Sequence, residues 1–258
     1  MIEVPLNQSY RIKETLSARP DVRCTLDVFE KWVRTIGWEP YLLHPSLGKP
    51  GRIHMGRSYD AALTLSSINF SGLEVLELGA RASWLSPWLT KDASLVVATD
   101  LFGPSHQDLG SLAYWEEWWK RAAFHPERLT ARAVDMMATG YEANAFDVVI
   151  CISAIEHVNH PDDGDMVAAQ EMGRIVKPGG FLVIGTDLSD SFRRAGGYYY
   201  DQNAIFERII TPSGCQPYGP MDLSWEKADK SPHRSGEFEK SACLFVLQKP
   251  KEARNDDI

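Results

Sequence analysis

Glu74-Val-Leu-Glu-Leu-Gly-Ala80 is a short apolar run that ends in an acid, Glu77, with a glycine two residues further on. A buried parallel strand looks like this where it leaves the sheet for a turn that a nucleoside can approach. Gly79 carries no Cβ, so the backbone there can come close to a ligand. Outward from this stretch the pattern continues: Ser94–Thr99 leads to Asp100, Leu129–Val134 to Asp135, and Phe146–Ile152 to Ser153, while Phe181–Thr186 follows Lys177-Pro-Gly-Gly. With Leu73–Leu78 these make five short, continuous, β-branched runs, which suits strands covered on both faces. Helical stretches around Trp84–Leu89, Leu112–Phe124 and Asp165–Val176 separate them, so the alternation predicts crossover units and a parallel sheet. In such a sheet ligands bind beyond the carboxyl ends of the strands, where the strand order reverses. Glu77, Gly79, Asp100, Asp135 and Cys151–Ile155 all fall on that rim.

The fourth run carries the most specific pattern. Asn144-Ala-Phe-Asp-Val-Val-Ile-Cys-Ile-Ser-Ala-Ile-Glu-His-Val158 is followed by Glu171-Met-Gly-Arg-Ile-Val-Lys-Pro-Gly-Gly180. In their order these segments resemble the class I S-adenosylmethionine-dependent methyltransferases, and the Phe-Asp-x-Val, Glu-His and Lys-Pro-Gly-Gly elements resemble their small-molecule, type 11-like branch. The resemblance covers roughly residues 70–190. It implies a Rossmann-like, doubly wound α/β fold whose seven-stranded sheet is mostly parallel. One antiparallel strand is expected near the edge, and Ala242–Gln248 is that strand, with its partner between Ile209 and Leu223.

The resemblance also implies S-adenosylmethionine as cofactor, surrounded by Glu77, Gly79, Ala80, Arg81, Asp100, Leu101, Asp135, Met136, Ile152 and Ser153. The residue types suit the parts. A carboxylate at Asp100, about 20 residues past the glycine turn, can accept from both ribose hydroxyls. As a strand-end acid on an open rim, it is expected to add little to core packing. Asp135 can accept from an adenine amino group, with the Met136 backbone against the ring. The first loop departs from the family. Where acid-x-Gly-x-Gly-x-Gly is usual, this chain reads Glu77-Leu-Gly-Ala-Arg-Ala-Ser83, so Arg81 and Ser83 replace two glycines. Either Ser83 and Arg81 serve the methionine half, or Arg81 points to solvent. A dinucleotide-binding oxidoreductase would need a Gly-x-Gly-x-x-Gly turn, which Gly79-Ala-Arg-Ala-Ser-Trp84 lacks.

Methyl transfer is an in-line displacement, so the protein supplies alignment and, where needed, a base. His157 and Glu156 stand where a base would lie, and a histidine has a suitable unperturbed pKa. The alternative is that this histidine only orders its loop. His157, His160, Asp162 and Asp163 suggest metal ligands, but Pro161 breaks any helix that would gather them, so no metal is expected. Arg193-Arg-Ala-Gly-Gly-Tyr-Tyr-Tyr200 holds the substrate-binding candidates Arg193, Arg194 and Tyr198, which could close over an anionic or sugar-like group. The tryptophans of Tyr114-Trp-Glu-Glu-Trp-Trp119 form a stripe that is either core or a partner contact.

The 258 residues and 44% hydrophobic content allow one sizeable core with room for an added arm. Residues 1–60 are expected to form an N-terminal helical arm or lid, built on the stripe Leu26, Phe29, Trp32, Val33 and Ile36 with Gly37 as its stop. Residues 61–250 are expected to form the methyltransferase domain, and 251–258 a charged tail. A formal net charge of −8 argues against nucleic acid or an anionic membrane as partner. Cys24, Cys151, Cys215 and Cys243 form no Cys-x-x-Cys pair, no apolar run approaches the roughly 20 residues of a membrane span, and the first residues lack a secretory pattern. The expectation is a cytoplasmic enzyme acting on an oxygen or nitrogen of a small-molecule methyl acceptor, with a homodimer left open. The rival is a non-catalytic binding or assembly subunit, motivated by the missing glycines and by tryptophans that look exposed.

Overall fold

The computed structural model describes residues 5–36, 55–81, 83–102, 110–232 and 239–251; Gly37 and most of the Pro- and Gly-rich stretch after it lie outside this set. In chain order the strands are β1 Asn7–Ser9, β2 Glu74–Leu78, β3 Leu95–Asp100, β4 Leu129–Ala133, β5 Phe146–Ile152 and β6 Val176–Leu188. There follow β7 Arg193–Arg194, β8 Tyr198–Tyr199, β9 Gln216–Pro217, β10 Met221–Asp222, β11 Ser231–Pro232 and β12 Glu239–Gln248. The main sheet runs β10-β1-β12-β6-β5-β2-β3-β4, with β9 and β11 also on β12, while β7 and β8 form a separate hairpin.

Strands β2 to β6 are parallel neighbours, and β12 is antiparallel to β6 from Ser241↔Leu188 to Gln248↔Phe181. Alternation of side chains along β2 explains why apolar residues stand on both of its faces. Val75 packs into one core with Phe29, Trp84, Trp88 and Trp119, while Leu76 and Leu78 pack into another with Ala168, Met172 and Ile209. The helices Pro20–Thr35, Met55–Ser67, Leu85–Leu89 and Leu112–Ala122 supply the first layer, and Gly164–Ile175 and residues 202–213 the second. This is the doubly wound, Rossmann-like α/β architecture.

Two details differ from expectation. Among the described residues the sheet holds ten strands rather than seven, and the edge partner of β12 is not the 209–223 segment alone. β9 pairs with β12 at Leu247↔Pro217 and Gln248↔Gln216, and β1 joins it along the same edge, with Gln8↔Leu244 and Ser9↔Cys243 antiparallel. Its three polar residues are fully buried, which hides it from any search for apolar alternation. Each finds a partner instead: Asn7 Oδ1 accepts from the Val246 N–H at 2.6 Å, Gln8 Oε1 accepts from Thr15 at 3.0 Å, and Ser9 Oγ donates to the Ser224 carbonyl at 3.1 Å. Within the 209–223 span, Ile209 and Ile210 lie in a π-helical turn, Phe206–Ile210, and the extended segments are β9 and β10. Lys177-Pro-Gly-Gly180 forms the irregular start of β6, and Lys177 ties it to Glu74 at 2.8 Å and Asp147 at 3.0 Å.

Candidate active site

β2 pairs with β3 on one side and β5 on the other, so the strand order reverses between β2 and β5. A cleft of about 400 Å³, measured out to its open mouth, lies at this switch point and is lined by Glu77, Gly79 and Ile152 from the strand ends. Ser83, Trp84 and Leu85 line it from the first loop, and Phe29, Asp60 and Ala61 from the N-terminal helices.

The strand exits are strained in a consistent place. Gly79 has φ +70°, and a Cβ there would fall 2.3 Å from the Ala154 Cβ, so the exits of β2 and β5 touch through a position that needs glycine. The Met136 methyl would lie 3.7 Å from the same point, which brings the exit of β4 to the turn as well. Phe102 and Ser153, just past β3 and β5, hold φ +48° and +52°, a costly conformation that clusters at functional rims.

Glu77 is 3% exposed and accepts from the Ser86 hydroxyl. Asp100 behaves differently from expectation. Arg81 does not point to solvent; its side chain is 8% exposed, and its guanidinium meets Asp100 Oδ1 at 3.2 Å. The Arg81 backbone N–H also donates to Asp100 Oδ2 at 3.3 Å, and the guanidinium lies 4.7 Å from the Phe102 ring centre. Ser83, the other replaced glycine, accepts from the Leu85 N–H at 3.0 Å, and its carbonyl accepts from the Trp119 indole at 3.1 Å. Side-chain anchors therefore shape a loop that glycines shape elsewhere. Ala80 donates to the Thr99 carbonyl at 2.7 Å, Asp135 Oδ1 accepts from the Met137 N–H at 2.8 Å, and Leu101 is exposed on the rim.

The two base candidates face opposite ways. Glu156 is 3% exposed and accepts from Thr186 at 3.2 Å, while His157 is exposed. The β7–β8 hairpin backs onto them, since a Cβ on Gly197 would lie 3.1 Å from the Glu156 carbonyl and 3.5 Å from His157 Nδ1. Its charged groups meet the chain's own acids: Arg193 pairs with Asp190 at 2.7 Å, and Arg194 with Asp162 at 3.0 Å. Tyr198 is buried, and its hydroxyl donates to the Asp162 carbonyl at 2.6 Å. Burial pushes the Cys151 thiol up, so it is an inert core group beside the rim.

Asp60 escaped the sequence reading. It is buried in the cleft wall and accepts from the Tyr10 hydroxyl, whose phenol is held protonated by burial and then by Asp60 itself. No motif marks either residue, and 50 positions separate them. The tryptophan stripe is core: Trp115, Trp118 and Trp119 are all buried. Among the described residues no group of three or more His, Cys, Asp or Glu could hold a metal ion.

Residues 76–184 match the model of a family described as a methyltransferase domain. No protein of curated function matches the chain in sequence. Among solved structures it is similar to the [4+2]-cyclase SpnF, at 15% identity, covering 87% of this chain and 94% of that one with a TM-score of 0.56. It is also similar to a SAM-dependent methyltransferase of Methanosarcina mazei, at 14% identity, 70% and 94% coverage, and a TM-score of 0.51. A third is phosphoethanolamine N-methyltransferase 2 of Haemonchus contortus, solved with S-adenosyl-L-methionine, at 14% identity, 72% and 50% coverage, and a TM-score of 0.51.

Proposed function

We propose that this chain, whose residues 76–184 match the model of a methyltransferase domain, belongs to the class I S-adenosylmethionine-dependent methyltransferases and transfers a methyl group to an oxygen or nitrogen of a small-molecule acceptor. The observation that carries the reading is the convergence of the exits of β2, β4 and β5 on Gly79, beside a cleft walled by Glu77 and Ile152. The side chains present fit the cofactor. Carboxylates at Glu77, Asp100 and Asp135 suit an ammonium, a pair of hydroxyls and an exocyclic amine, and Leu101 and Met136 suit a flat ring. Ala80, Ile152 and Ser153 complete the rim, and Arg81 stands next to Asp100. When bound, S-adenosylmethionine supplies the activated methyl group.

The chain's own part is alignment and exclusion of water. Glu77, fixed by Ser86, holds one end of the cleft, and the buried Phe29 and Trp84 keep solvent from its wall. Of the two base candidates, His157 is the one open to solvent and set against the hairpin, so the role of taking a proton from the acceptor falls to it. Glu156, turned inward to Thr186, supports the loop. With its arginines paired to acids, the hairpin bearing Arg193, Arg194 and Tyr198 would bind the acceptor only by exchanging those partners.

Isothermal titration with S-adenosylmethionine and S-adenosylhomocysteine tests the cofactor; no heat with either, in a folded sample, would sink the proposal. Transfer of labelled methyl to a panel of alcohols and amines tests the reaction. The second reading, a non-catalytic subunit, is favoured by the Arg81 contact on Asp100, while burial of the tryptophans removes its other support. It requires weak ligand binding together with a stable oligomer or complex. A monomer by light scattering that binds tightly and methylates counts against it.

A further inference from the structure

The loop bearing His157 and the β7–β8 hairpin are joined through a residue that the sequence reading passed over. Arg208 lies in the π-helical turn Phe206–Ile210, a geometry that often accompanies functional sites. Its guanidinium grips the Asp165 carboxylate as a fork, Nε to Oδ2 at 2.8 Å and Nη2 to Oδ1 at 2.7 Å, and Nη2 also donates to the Asp162 carbonyl at 2.9 Å. The same group lies over two rings of the hairpin segment, 5.2 Å from the centre of Phe192 and 5.1 Å from that of Tyr198. The hairpin answers with donors of its own. The Tyr198 hydroxyl donates to the Asp162 carbonyl at 2.6 Å, and the Tyr200 hydroxyl to Asp165 Oδ2 at 3.0 Å. Burial, and then Asp165, keep the Tyr200 phenol protonated, so it stays a donor. With the Met166 N–H on Oδ1 at 2.9 Å, each oxygen of the Asp165 carboxylate accepts two hydrogen bonds, and the network is satisfied at its centre.

Stability alone does not account for this arrangement. The Asp165 side chain is fully buried and that of Arg208 is 16% exposed, and apolar residues of the same volume often stabilise a fold as well as a buried ion pair does. What the pair adds is direction, because a planar fork fixes an orientation that a point charge does not. Asp165 sits in the first turn of the helix Gly164–Ile175, Asp162 belongs to the loop that follows Ile155–His157, and Phe192 and Tyr198 belong to the hairpin segment. One guanidinium therefore sets three elements against each other. Seated this way, the hairpin brings Gly197 so close that a Cβ there would lie 3.1 Å from the Glu156 carbonyl and 3.5 Å from His157 Nδ1. We infer that Arg208 is a positioning residue for the methyl acceptor: it seats the β7–β8 hairpin on the His157 loop, so that the hairpin is a fixed wall of the acceptor site and not a free flap. The inference rests on the reading of His157 and the hairpin as the acceptor side of the site.

The test compares the full chain with Arg208→Lys, which keeps the charge but not the fork. A second variant, Arg208→Met combined with Asp165→Leu, replaces the buried pair by apolar side chains and serves should Arg208→Lys fold poorly. Hydrogen exchange read by mass spectrometry should show residues 190–200 and 155–163 exchanging at least about tenfold faster in either variant, with β2, β3 and β5 unchanged. S-adenosylhomocysteine affinity by titration should stay within about threefold of the parent, since the joint lies on the acceptor side. For any alcohol or amine that accepts labelled methyl, the acceptor KM should rise at least about fivefold while the KM for S-adenosylmethionine holds. A purely structural pair would not split the two KM values. Unchanged exchange in the two segments of a folded variant, or an equal rise across the sheet, overturns the inference and, with S-adenosylhomocysteine still bound, leaves the cofactor reading intact. Failure of the parent to bind S-adenosylhomocysteine removes the reaction that the hairpin would serve and overturns both.

Discussion

Asp100 and Asp135 stand at the exits of adjacent strands, β3 and β4, and their surroundings differ in kind. Asp100 is covered by the Arg81 guanidinium and by two backbone N–H groups. Asp135 accepts from the Met137 N–H at 2.8 Å, and the turn it begins is pinned by Glu171, which accepts from the Thr139 N–H at 3.0 Å and is bound by Arg174 at 2.6 Å. One acid is held by a charged side chain from the first loop, the other by a local turn with a remote clamp. Two acids with the same local pattern therefore sit in different surroundings, one against a charged side chain and one inside a local turn.

The sharpest way to break this contrast is Asp100→Ala. Charge-assisted hydrogen bonds contribute about 1.5–3 kcal/mol each, so affinity for S-adenosylhomocysteine should fall at least ~tenfold. The Arg81 pair gives Asp100 a contact that the fold also uses, since the variant leaves a largely covered guanidinium without this carboxylate. A stability loss of about 1–3 kcal/mol, or roughly 2–10 °C in Tm, should accompany the loss of binding. An unchanged melting temperature would return Asp100 to the role of a bare rim acid.

Glu171→Gln tests the clamp on the other exit. Hydrogen bonding from Arg174, and then from Thr139, holds the Glu171 carboxyl down at about 2, against an ordinary 4.5. A depressed folded-state pKa stabilises the fold above the unfolded value, and that contribution is lost as pH falls through the folded one. The variant should be less stable than the parent by about 1–3 kcal/mol at pH 7, and the gap should narrow between pH ~5 and ~2. A gap independent of pH, followed by denaturant melts, would refute the charged clamp.

Asp135→Ala should act on affinity more than on stability. It removes one turn hydrogen bond, about 0.5–1.5 kcal/mol, so Tm should shift by under ~5 °C while S-adenosylhomocysteine binding weakens about three- to tenfold. A melting loss equal to that of Asp100→Ala would erase the difference between the two exits. Leu101→Ala sharpens it at the smallest scale. The side chain is 56% exposed, so stability should stay within about 0.5 kcal/mol, with affinity reduced by no more than ~threefold.

Much of the frame was legible because it is written in short-range pattern. The runs that became β2, β3 and β5 are dominated by apolar residues because both faces are covered, and that property belongs to each strand alone. Gly79 and the acids after the strands were legible for the same reason, since a turn and its punctuation lie within a few residues. β1 was not, because Asn7, Gln8 and Ser9 are buried through hydrogen bonds to residues more than 200 positions away as well as to nearby Thr15. The tryptophans of Leu112–Ala122 declared a helix face by their spacing, but which way that face turned depended on the sheet beside it. Arg81 and Asp100 were both visible as residues, 19 positions apart, yet their pairing depended on β2 and β3 lying side by side in register. Propensity, periodicity and turn chemistry act over a few bonds and can be read along the chain. Partner choice between charged side chains is decided by how the strands pair and which loops are thereby brought to one rim, and only the tertiary structure contains that.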